Sequence, residues 1–174
     1  MAVLLNQTSN LRFRIELLRR LSDGTTRPAS LEMRVGLDRY QHRAGGEHAF
    51  VPMLDVPRAT LLDMDLIQFL QALEELLDGR GQGDPPSAAL EASVEPAIGL
   101  RLVGGPEAYL VELGVDLLNV LRPVAGMSSE RGSDLVLYRF AANQRAALAF
   151  CAGLLAEFEK FPTDPSKVHP GEAS

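Results

Sequence analysis

Short runs of alternating apolar residues, two long helical stripes and Gly/Pro-rich breaks between them predict an α+β fold. The expected architecture is a mostly antiparallel sheet of about six strands, some short, with two amphipathic helices packed on one face. The predicted order is β-β-β-α-β-β-β-β-α. Residues 1–162 are expected to form a single domain and 163–174 a disordered tail, because the tail is rich in Pro, Gly and polar residues. No internal repeat is visible in the residues themselves.

The first strand is read from Leu11, Phe13, Ile15 and Leu17, which alternate with Arg12, Arg14 and Glu16. A period of two sends successive side chains to opposite faces, so one face is buried and one is wet. Turn residues follow at Ser22–Thr26. Alternation then resumes with Leu31, Met33, Val35 and Leu37 against Glu32, Arg34 and Asp38, which completes a hairpin. A polar loop over 41–47 leads to Phe50, Leu54 and Val56. Pro52 and Pro57 lack the N–H that a ladder needs, which assigns this strand to an edge.

Leu62, Leu66, Phe69, Leu70, Leu73, Leu76 and Leu77 recur at helical spacing and predict a helix over about 61–78. Asp63 and Asp65 suit its positive N-terminal end, and Gly79 suits a left-handed residue just past its last turn. The stretch 79–87 (GRGQGDPPS) reads as an exposed loop. Further strands are expected at Leu90–Val94, Ile98–Leu102, Tyr109–Val115 and Leu135–Phe140. Asn143 is a candidate cap for a final helix running to Phe161, with Pro162 as its stop. Its buried stripe is expected to hold Ala147, Phe150, Cys151, Leu154, Leu155 and Phe158.

The chain has 174 residues, 46% apolar content and no Trp, so its core must be built from aliphatic side chains. At this length folding should bury roughly 70% of the surface of the extended chain. One cysteine cannot form an internal disulfide, which points to a reducing, cytoplasmic setting. No apolar run is long enough to span a membrane. The net charge of −6, with basic residues scattered and Arg19-Arg20 the only basic doublet, argues against nucleic acid and suits a basic protein partner.

Residues able to carry catalysis do not converge. His42 and His48 flank a loop, His169 lies in the tail, and Cys151 sits within a helical apolar stripe, so neither a metal centre nor a nucleophile is expected. The glycines at 79–83 and 104–105 lie in turns, not between a strand and a helix as a phosphate loop requires. No cofactor is implied. Charged residues on the polar sides of strands are the remaining candidates: Arg12, Arg14, Glu32 and Arg34 on the first hairpin, and Glu91, Glu95, Glu112 and Asp116 further on. They could meet across one sheet as a charged, helix-free face for a protein partner. A carboxylate-lined enzyme site using Glu91, Glu95 and Glu112 stays open as an alternative, as does a regulatory or scaffold module.

Three segments carry a resemblance: Leu66–Gly79 (LIQFLQALEELLDG), Val94–Leu102 (VEPAIGLRL) with its Glu95-Pro96 step, and the strand–helix stretch Leu135–Pro162 ending in Phe-Pro. In this succession the chain resembles the WapI-type immunity proteins of bacterial polymorphic-toxin systems, over about residues 31–162. It departs from that pattern at Ala97, where the family commonly has Asn. The resemblance implies a non-catalytic protein that binds and neutralises a cognate toxin in the cytoplasm. It transfers no site residue. Homo-oligomerisation through an unidentified sheet edge also stays open.

Overall fold

A computed structural model of the chain describes residues 1–21, 29–42, 48–91, 98–105, 107–116 and 135–161. The α+β class holds, but the strands form two four-stranded antiparallel sheets, not one sheet of about six. The first sheet is a meander of β1 (Ala2–Leu5), β2 (Leu11–Leu21), β3 (Ser30–His42) and β4 (His48–Leu62). Helix α1 (Asp63–Leu77) follows. The second meander is β5 (Ser87–Glu91), β6 (Ile98–Gly105), β7 (Ala108–Asp116) and β8 (Leu135–Ala142), followed by α2 (Gln144–Glu159). Among the described residues the element order is therefore one ββββα unit used twice, although nothing in the residues announces a repeat. Alternation identifies strands but is silent on which strands share a sheet. The strand missing from the prediction, β1, is four residues long, too short to display its period.

Each helix packs against the sheet of the other unit. α1 lies along β5, the first strand of the second sheet, and α2 along β1, the first strand of the first. Gly153 of α2 sits directly on Ala2, where an added Cβ would come within 3.3 Å of the strand's Cα. Beside that contact Phe150 tilts against Phe13, with ring centroids 5.9 Å apart. The buried apolar residues form one cluster that draws on all eight strands and both helices.

Local signals read from the sequence explain most boundaries. Asn143 caps α2 by accepting a hydrogen bond from the Ala146 N–H at 2.8 Å, and Gly79 takes a φ of +73° just beyond α1. α1 starts two residues later than predicted, because β4 runs through Leu62 and passes straight into the helix. β4 is an edge strand, as its prolines require. Its register slips near both of them, giving bulges that accommodate residues unable to donate to a ladder. In α2, Leu155 departs from the expected buried stripe and points to solvent, while Glu157 is buried in its place and meets Lys160 and the Met1 amino group. The predicted turn at Ser22–Thr26, residues 43–47 of the second loop, the Glu95-Pro96 step, Pro162 and the tail lie outside the described residues.

A bulge in β2 also serves the core. The register slips between Leu17 and Arg19, so Leu18 is extra and the next two side chains change faces. Arg19 then points outward and Arg20 inward. The Arg20 guanidinium reaches Asp63 at the start of α1 and the Phe161 carbonyl beyond the end of α2, and it lies 5.8 Å from the Phe158 ring. A cation beside the C-terminal end of α2 and an anion in the first turn of α1 both complement the helix dipoles. One side chain thus ties both helices to the first sheet.

Candidate functional site

The seven described candidate side chains do not share a face, because they are split between the two sheets. Arg12, Arg14, Glu32 and Arg34 lie on the outer face of the first sheet. Glu91, Glu112 and Asp116 lie on the outer face of the second, and Glu95 is outside the described residues. The expectation of a single charged face fails for the same reason as the single sheet.

On the first sheet, register brings Arg12 opposite Asp38 and Arg14 opposite Gly36. The Arg12 Nε donates to Asp38 Oδ2 at 2.9 Å. Arg14 donates to the same carboxylate through Nε and Nη2 at 2.8 and 3.2 Å. Asp38 is 1% exposed although it sits on the outer face, because the two guanidiniums cover it. Arg14 can cross β3 only because Gly36 has no side chain: a Cβ there would stand 2.5 Å from its Nη2. A bare strand position and a buried carboxylate therefore build one clamp.

The clamp extends sideways. Arg14 approaches Asp55 at 3.9 Å, and Arg34 grips Asp55 in a two-pronged pair at 2.9 and 2.6 Å. The Arg34 hydrogen bonds hold the Asp55 carboxyl below the usual carboxylate range, against the opposing effect of its burial. Toward the other end of the strands, Arg12 lies 4.3 Å above the Phe50 ring. Phe50 meets Tyr40 edge-on at 5.4 Å, and Tyr40 stacks on His48 at 5.6 Å and 8°. His48 begins β4, beside the loop it was expected to flank. Further along β3, Glu32 is held by Arg19 at 2.8 Å and by Arg58 at 3.3 Å.

On the second sheet one charged row crosses the strands. Glu112 accepts from Arg139 at 2.9 Å and faces Arg101 at 4.0 Å. The next row is Gly99, Gly114 and Leu137, nearly bare of side chains. It floors an open depression of about 370 Å³ bordered by Glu91, Arg101 and Glu112.

Sequence reasoning missed Asp38 and Asp55 as site residues, together with the aromatic group Tyr40, Phe50 and His48. Asp38 was visible in phase with Glu32 and Arg34. Its role depends on cross-strand register, which a single strand's pattern does not contain. Asp55 was hidden by the bulges in β4. Cys151 is buried on α2, and burial, reinforced by Glu74, pushes its thiol up, which opposes thiolate chemistry. Among the described residues no group of three or more His, Cys, Asp or Glu could hold a metal ion, and no helix is long and apolar enough to cross a membrane.

Compared with known proteins, the chain matches no family model, and neither a curated protein nor a solved structure shows significant similarity to it.

Proposed function

We propose that the protein is a non-catalytic binding module whose recognition surface is the outer face of the first sheet, and that it acts as an immunity-type inhibitor of a cognate toxin. One observation carries the binding reading. The arginines of that face are already fixed by carboxylates on neighbouring strands and stand beside an aromatic group, so they are ordered before any partner arrives. Arginine and tyrosine dominate the energetics of protein interfaces, and side chains immobilised in advance lose less entropy on binding. Because Arg12, Arg14, Arg19, Arg34 and Arg58 alternate with Glu16, Glu32, Asp38 and Asp55, this surface fits a partner patterned in both charges. The net charge of −6 assists encounter with a basic toxin domain at longer range. The inhibitory role rests on the resemblance described above.

The reading requires a toxin-like domain encoded beside this chain, and the test is co-expression with that domain. Protection by the wild type, lost in Arg34→Glu and Phe50→Ala with the fold retained by circular dichroism, is the expected result. Failure of the wild type to protect refutes the immunity role, and protection indifferent to both substitutions refutes the surface. A regulatory or scaffold role is the competing outcome, in which capture from native extract yields an assembly partner and no toxin. The depression on the second sheet supports a small-molecule reading. Saturable binding there, abolished by Gly99→Leu, would favour it.

A further inference from the structure

Helix α2 carries an apolar stripe on the side away from the core. Leu148, Ala149, Ala152, Leu155 and Ala156 are all exposed, the two leucines at 48% and 38%. At 3.6 residues per turn these five lie within about 60° of the Ala152 direction. Arg145 and Glu159 continue the stripe at its two ends. Neither has an ion-pair partner among the described residues. Both also stand at the wrong end of their own helix: the cation is in the first turn and the anion in the last, against the dipole.

We propose that this face is a self-association surface occupied by a second copy of the chain, its α2 packed antiparallel to the first about a twofold axis at Ala152. Arg145 and Glu159 are each seven residues from Ala152. An antiparallel twofold therefore sets Arg145 against Glu159 of the second copy, and the reverse pair forms at the other end. The same operation brings Leu148 level with Ala156 of the second copy and Leu155 level with its Ala149, with Ala152 on Ala152 at the axis. The alanines allow the helices to approach closely. The leucines line the side of the stripe that borders a depression of about 360 Å³ between α1 and α2, walled by Leu77, Asp78 and Arg80. A twofold interface must complement itself, and in size and charge this stripe does. It is independent of the toxin-binding reading, because α2 packs on the inner face of the first sheet and the recognition surface is the outer one.

Sedimentation of the full chain at concentrations up to about 100 µM should show a monomer–dimer equilibrium that follows mass action. Ala152→Glu brings two carboxylates together on the axis and should leave only monomer. Arg145→Glu and Glu159→Arg alone should each weaken the dimer about tenfold, since every dimer contains the pair twice. The double variant R145E/E159R restores opposite charges and should recover wild-type association. All three positions are exposed, so unchanged circular dichroism confirms that each variant folds. A wild type that stays monomeric overturns the proposal. So does a dimer that ignores Ala152→Glu, or a double variant no tighter than the singles.

Discussion

On the first sheet, Arg12, Asp38, Arg14, Asp55 and Arg34 form one continuous chain of contacts across three strands. On the second, Arg101, Glu112 and Arg139 form one row across three strands, flanked by bare glycines and exposed aliphatics. Both sheets have the same strand order and the same inward pattern of aliphatic residues. The difference comes from two outward positions on β3. Asp38 offers a carboxylate to two arginines at once, and Gly36 leaves the floor open for one of them to reach it. Topology therefore sets where a face points, and a few outward residues set whether it is ordered.

The largest expected effect breaks the clamp. Asp38→Ala leaves two guanidiniums over a buried site without their counter-charge and should lower the unfolding free energy by about 3 kcal/mol. Glu112→Ala on the second sheet removes pairs whose arginines are half-exposed and should cost less than about 1 kcal/mol. Urea titration of the two variants checks this, and equal losses would erase the distinction between the faces.

Glycine substitutions sharpen it. Gly36→Ala forces Arg14 off the strand and should cost about 1–3 kcal/mol. Gly99→Ala meets nothing closer than 4.0 Å and should stay within about 0.5 kcal/mol of the wild type. Thermal melts of the pair, side by side, give the comparison.

A smaller effect of opposite sign belongs to the second sheet. Tyr109 is fully buried on β7, its hydroxyl has no hydrogen-bond partner among the described residues, and burial pushes its ionisation up. Tyr109→Phe removes that stranded hydroxyl while keeping the ring, and should be neutral or stabilising by up to about 1 kcal/mol. A clear loss of stability would mean that the hydroxyl is satisfied in solution.

The smallest effect is a pH dependence carried by Asp55 on the first sheet. Asp55 titrates lower in the folded chain than in the unfolded one, chiefly through its hydrogen bonds from Arg34. Its contribution is therefore full above the unfolded value of about 4 and fades as pH falls through the folded value. Asp55 is a third exposed, so the contribution is modest. Denaturation of the wild type and of Arg34→Gln at neutral and acid pH should show a gap that narrows in acid.

Much of this was legible in the residues. Seven of the eight described strands, both described helices, the Asn143 cap, the Gly79 terminator and the edge position of β4 follow from periodicity and from proline and glycine chemistry, all of which act locally. The division into two sheets, the crossed packing of the helices and the bulge that turns Arg20 inward are long-range events that no local pattern encodes. The site divides in the same way. Arg12, Arg14, Glu32 and Arg34 were visible as outward charges, whereas Asp38 and Asp55 acquire their roles only when register sets them under particular arginines. Leu155 is a different case. Its spacing fits a buried stripe, but α2 is turned so that Glu157 goes inward and Leu155 faces water.

The crossed packing of the helices bears on how the chain folds. β1 is covered by α2, more than 140 residues later, and α1 finds its seat only once β5 exists. A nascent chain that has completed its first meander thus holds an unshielded strand and a helix with nowhere to dock. Contacts this distant in sequence slow folding. They also join the two halves into one cooperative unit, so a protease that gains access to either half should do so only through opening of the whole.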